Sequence, residues 1–149
     1  MSTKEERGET DKKIDYIIPK ACKGDKFAQK YMYDIAFVAR KMDDLYDGDY
    51  EVSKKELEQL FYLLLVDIPT NPFFLKNFQL LIGQHVIVYN AWVHSNLWID
   101  DNDDTKRIYA HVLRDYIGEL VPLVAFLTGG TENMNKISLE ARKLFLKEF

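Results

Sequence analysis

The sequence predicts an all-α protein, a single bundle of five or six helices with a long buried central helix, and three observations carry that prediction. Apolar residues recur at steps of three and four through most of the chain. Residues that open and close helices stand at the ends of those patterns. No segment sustains the apolar–polar alternation of a half-buried strand, and the β-branched run Val86-Ile87-Val88 is short and lies inside the longest helical pattern. At 149 residues, with 47% hydrophobic and 30% charged side chains, the chain has the composition of one globular domain.

Residues 1–10 carry almost no apolar side chains and are expected to form a flexible tail, leaving residues 11–149 as the domain. Thr10 is a candidate cap for a short first helix, in which Ile14, Ile17 and Ile18 have roughly helical spacing until Pro19 interrupts them. Asp25 stands before Phe27, Tyr31, Ile35, Val38, Met42 and Leu45, and Gly48 is placed to end this second helix in the left-handed conformation. Ser53 and Glu56 have capping-box spacing at the head of a third helix, which is expected to stop at Asp67-Ile68-Pro69.

Asn71-Pro72 supplies a cap and a first-turn proline for a fourth pattern running to about Ile99. This pattern is apolar nearly all round, which predicts the buried centre of the bundle. The acidic loop Asp100–Asp104 precedes a fifth helix, from about Thr105 to Leu127, that Pro122 should kink or shorten and Gly129-Gly130 should end. A final amphipathic piece from about Glu132 or Ser138 completes the bundle.

Composition excludes several functions. Twenty Lys and Arg against 24 Asp and Glu leave a net charge of −4, which argues against a duplex nucleic-acid partner. Cys22 is the only cysteine, so an intrachain disulfide and a Cys-rich zinc site are impossible. A reducing, cytoplasmic compartment is expected. With no apolar stretch of membrane length and a polar start, neither membrane insertion nor export is expected. Eighteen Phe and Tyr and two Trp in a small domain predict a homo-oligomer or a protein partner.

Two clusters could carry chemistry. Asp43 and Asp47 lie about 40° apart and one turn from each other on the second helix, with Asp44 beside them. Carboxylates so placed repel one another and oppose the negative end of the helix dipole, and a hard divalent cation such as Mg²⁺ would offset both costs. On the fifth helix His111, Asp115 and Glu119 fall at i, i+4 and i+8 with Arg114 adjacent. Two acidic pairs on opposed helices are what a metal–diphosphate clamp requires. The competing readings are solvated helix surfaces in both places. His85 and His94 are about 180° apart on one helix and cannot ligate one metal from a single face. Cys22 is most simply a structural thiol.

The string Tyr33-Asp34-Ile35-Ala36-Phe37-Val38-Ala39-Arg40-Lys41-Met42-Asp43-Asp44-Leu45-Tyr46-Asp47-Gly48 resembles the first aspartate-rich helix of the squalene and phytoene synthases. Val112-Leu113-Arg114-Asp115-Tyr116-Ile117-Gly118-Glu119 is similar to that family's second motif, with Gly118 where the motif has its first acid. The resemblance implies an all-α class I isoprenoid-synthase fold in which Asp43, Asp47, Asp115 and Glu119 hold Mg²⁺ against a diphosphate. Arg40, Asp44 and Arg114 are then supporting residues on the ligand side, with His111 completing the second motif's polar stripe. The chain is about half the family's length, too small for two long prenyl chains.

Three functions follow as expectations: a Mg²⁺-dependent enzyme acting on an isoprenoid or nucleotide diphosphate, a module that holds such a phosphorylated small molecule without turnover, and a helical interaction protein, regulatory or virus-encoded. The first two share one site.

Overall fold

The computed structural model describes residues 3–147, which are helical throughout their regular structure and contain no strand. The helices are α1 (Lys4–Cys22), α2 (Lys26–Asp47), α3 (Lys54–Tyr62), two short helices α4 (Ile68–Thr70) and α5 (Pro72–Lys76), then α6 (Phe78–Trp98), α7 (Asp104–Arg114) and α8 (Leu120–Leu144). A π-helical turn at Leu63–Asp67 joins α3 to α4, and a 3₁₀ turn at Asp115–Glu119 joins α7 to α8. Helix α1 lies along α8 and α6 lies along α7, while α2 packs on α1, α5 and α8 and is bonded to α6 through Tyr31 and Asp43 and to α7 through Asp47, which ties the two pairs together. The core gathers where they meet, around the fully buried Ile17, Tyr31, Leu81, Leu120 and Val124.

Caps form where the sequence places them. The Asp25 side chain accepts from the Ala28 amide, and Gly48 closes α2 at φ 70°. Ser53 and Glu56 form the reciprocal capping box, and Lys41 of α2 pairs with the same Glu56, so the cap also fastens α3 to its neighbour. That pairing, with the Ser53 bonds, holds the Glu56 carboxyl down to about 2. Asn71 accepts from the Phe73 and Phe74 amides and donates to the Phe27 carbonyl at 3.0 Å.

Four expectations need correction. Residues 4–10, expected as a tail, are the first turns of α1, capped by a Thr3–Glu6 capping box; residues 1 and 2 lie outside the described chain. Pro19 lies inside α1 rather than ending it. A helix-interior proline costs about 3 kcal/mol, and the complete or nearly complete burial of Ile17, Ile18, Ala21 and Cys22 around it offsets that cost. The helical path also continues past Asp67-Ile68-Pro69, because the π turn inserts one extra residue and lets Leu60, Leu63 and Ile68 all reach the interior.

The pattern from 72 to 99 breaks at Asn77 (φ −113°, ψ 24°) into α5 and α6, and α6 is not the buried axis of the bundle. Only Leu81, Ala91 and Ser95 of its 21 residues are buried, because α7 covers one side and nothing among the described residues covers the opposite one.

Pro122 does shorten its helix. Its ring conflicts with a helical Gly118 carbonyl four residues earlier, and α7 gives way to the 3₁₀ turn before α8 restarts. Gly130 (φ 81°, ψ −175°) then breaks α8 near the expected point. Two side chains bond carbonyls beside this kink and tie it to α1: Asn133 Nδ2 donates to the Ala125 carbonyl at 2.9 Å, and Thr128 Oγ1 donates to the Ala21 carbonyl of α1 at 2.6 Å. No helix among the described residues is long and apolar enough to cross a membrane.

Candidate functional site

The C-terminal end of α2, the last turn of α7 and the start of α1 enclose a polar cavity of about 580 Å³. Seven of the eight residues singled out in the sequence line it: Arg40, Asp43, Asp44, Asp47, His111, Arg114 and Asp115. Arg7, Asp49, Asp100 and Lys147 complete its charged wall, so both signs of charge face one space.

Asp44 is the most buried of these groups, 2% exposed, and Arg7 binds it with both guanidinium Nη atoms while lying 3.5 Å from the centre of the Tyr50 ring. The hydrogen bonds to Asp44 raise the Arg7 guanidinium above its ordinary value despite partial burial. Asp43 accepts a 2.7 Å hydrogen bond from Trp92 Nε1 of α6. Burial pushes its carboxyl up; the Trp92 bond and the nearby Arg114 charge oppose that push, and Asp47 and Asp44 add to it.

Arg114 reaches across from α7 to Asp47 at 3.2 and 3.3 Å and to Asn96 Oδ1 at 2.8 Å. Its Nε is buried without a hydrogen-bond partner among the described residues. Arg40 bonds Asp11 at 2.5 Å, and Lys147 bonds Asp115 at 2.7 Å. Burial lowers the His111 imidazole, and the Lys147 and Arg114 charges push the same way against Asp115.

The eighth residue, Glu119, is outside this wall and bonds Arg142 at 2.9 Å. Backbone geometry accounts for the separation. In an α-helix Asp115 and Glu119 share a face, but across a 3₁₀ turn of three residues per turn they diverge by about 120°. The four-carboxylate clamp expected from the spacing is therefore not assembled. Among the described residues no three His, Cys, Asp or Glu side chains stand where they could hold a metal ion together. Asp44, Asp47 and Asp115 are each neutralised by a basic side chain instead.

The sequence reading missed Arg7 and Lys147. Arg7 had a local signal, since Thr3-Lys4-Glu5-Glu6 has capping-box spacing and announces a helix three residues before it. Lys147 had none, because its place depends on how α8 ends. His85 and His94 do point apart. His85 is half-buried, bonded to the Tyr31 hydroxyl at 2.6 Å and stacked on Tyr31 and Phe74, and its imidazole is lowered by burial, whereas His94 is exposed. Cys22 is fully buried, and burial pushes its thiol up to about 12, which leaves no reactive thiolate near neutral pH.

No protein-family model matches the chain, and neither a curated protein nor a solved structure shows significant similarity to it.

Proposed function

We propose that the cavity between α2 and α7 binds a small molecule carrying a diphosphate, an isoprenoid or a nucleotide, as its Mg²⁺ complex. The observation that carries this reading is Arg114. It lines the cavity and keeps a buried Nε donor without an acceptor, which is a cost in the ligand-free protein that an anion's oxygen removes. Arg40 and Lys147 line the same space, and a guanidinium fork matches a phosphate better than an ammonium does. The resemblance of the two acidic blocks to the squalene and phytoene synthases points to the same ligand class.

Since no three acidic groups among the described residues are placed to hold Mg²⁺ by themselves, the ion would take one or two carboxylates, for which Asp43 and Asp47 are the candidates, with phosphate oxygens and water supplying the rest. Binding is then an exchange of partners: phosphate oxygens would replace Asp47 at Arg114 and Asp115 at Lys147, and the cation would neutralise the released carboxylates. A cation beside Asp43 would also offset the like-charge repulsion from Asp47 and Asp44. Holding the ligand follows from these contacts; a bond-breaking step does not.

Thermal unfolding with MgCl₂, with pyrophosphate and with both together tests the reading. At a hundredfold excess over Kd the bound state gains about 2.7 kcal/mol, and for a domain of this size that is an upward shift of about 5–10 °C. The shift is expected with both components and not with either alone, and Arg114→Ala should abolish it. No shift with both components present overturns the proposal.

One observation favours the helical interaction protein as a second reading. Leu57, Phe61 and Leu64 of α3 and the following turn are about half exposed or more, and with Leu60 they line an apolar groove of about 520 Å³ at the surface. A partner helix in that groove would protect α3 amides from hydrogen exchange in the complex; unchanged exchange there would reject this reading.

A further inference from the structure

We infer that the outer face of α6 is a self-association seam, on which a second copy of this chain docks its own α6 antiparallel to the first. The apolar residues of that face follow a spacing that a helix partner reads directly. Ile82, Val86, Tyr89, Val93 and Leu97 advance by four, three, four and four residues and form one stripe along the side of α6 turned away from Leu81, Ala91 and Ser95. Val86, Tyr89 and Leu97 are 63%, 68% and 69% exposed, although they belong to a helix that is apolar on every face. With flanking Phe78 the stripe leaves on the order of 500 Å² of mostly apolar surface per chain, matching the apolar share of the roughly 800 Å² per partner that a stable interface buries.

Two features select a second copy over a different protein. Helix α6 contains no Lys, Arg, Asp or Glu in its 21 residues, so two copies meet without like-charge repulsion and the stripe offers no charge that would recruit a complementary partner. Four of the five stripe positions are also symmetric about a point between Tyr89 and Asn90. Ile82 and Leu97 are equidistant from that point, as are Val86 and Val93. A two-fold axis there sets Ile82 against Leu97 of the second copy and Val86 against Val93, which is the self-complementarity an isologous interface requires. Asn90, exposed beside the axis, supplies the polar contact that holds a coiled pair in register.

Sedimentation equilibrium and site-directed cross-linking test the inference. At tens of micromolar the chain is expected at twice its 17.5 kDa mass. Val86→Glu is expected to restore the monomer mass without changing helix content, since residue 86 is mostly exposed within one chain. A short bismaleimide is expected to join Ile82→Cys chains to Leu97→Cys chains when the two are mixed, and to join neither variant to itself, because like ends lie about 22 Å apart along antiparallel helices. The fully buried native Cys22 does not compete for the reagent. A monomer at these concentrations, a Val86→Glu protein that is still dimeric, or self-cross-linking of Ile82→Cys each overturns the inference.

Discussion

Asp43 and His85 are half-buried titrating groups of opposite sign. Burial raises the Asp43 carboxyl, so its contribution to stability is complete below the unfolded value near 3.9 and is lost as pH rises through the folded value. Near neutral pH Asp43 therefore works against folding, held by its Trp92 bond and the Arg114 charge. Asp43→Asn keeps an oxygen for Trp92 and removes the buried charge, and it is expected to stabilise the ligand-free protein at pH 7 by about 0.5–2 kcal/mol. His85 is lowered by burial, so its contribution is present above about 6.5 and is lost as pH falls from there toward the folded value. Acidification thus relieves one group and strains the other. Thermal melts from pH 7 to pH 4 should show a steeper acid-side loss in Asp43→Asn than in the wild type; a destabilised variant at pH 7 would contradict this account. The identities of both residues are visible in the sequence, but their signs are not, because burial is set by α6 packing on α2.

Helix boundaries divide into those written by caps and those written by packing. Asp25, Ser53 with Glu56, and Asn71 each bond an amide two or three residues away, and all three act where the sequence puts them. Proline is less decisive. Pro19 lies within α1, where neighbouring side chains bury, while Pro122 separates α7 from α8 because no residue of the Asp115–Glu119 turn is fully buried to hold the α geometry against the ring. That 3₁₀ turn removes Glu119 from the candidate site. Gly130 shows the opposite extreme, since φ 81° with ψ −175° is a conformation that side-chain-bearing residues avoid. Gly130→Ala is expected to cost about 1–3 kcal/mol, read as a lower midpoint in thermal or urea unfolding. Gly118→Ala, whose added Cβ meets nothing within 4 Å, should cost nothing.

The whole molecule depends on its first helix. Helix α1 lies along α8 and contributes Ile17, Ile18, Ala21 and Cys22 to the core, and its Arg7 is the counter-charge of Asp44. Deleting residues 1–9 should leave the Asp44 carboxylate buried and unpaired, a loss of about 3–5 kcal/mol. Calorimetry is expected to show a transition lower by about 6 °C or more. A dispensable tail would leave the transition unchanged, so the truncation separates the two descriptions. Asp44→Asn in the truncated chain should recover part of the loss, because it removes the orphaned charge.

The local order of this protein is legible from its residues: all-α class, the capped starts of α2, α3 and α5, the left-handed Gly48, and two polar blocks of which seven residues line one cavity. Those features follow from hydrogen bonds and periodicities spanning a few residues, which a sequence displays directly. Tertiary structure decided which charges pair and which apolar faces are covered. Arg7 meets Asp44 across 37 positions and Arg114 meets Asp47 across 67, and each pairing holds a carboxylate of the acidic block in an ion pair. The all-round apolar pattern of α6 reads as a buried axis, yet burial requires neighbours on every side, and a chain with six helices of nine residues or more surrounds α6 on only part of its circumference. Periodicity specifies that a helix has an apolar face, whereas only the packing of the whole chain specifies what, if anything, lies against it.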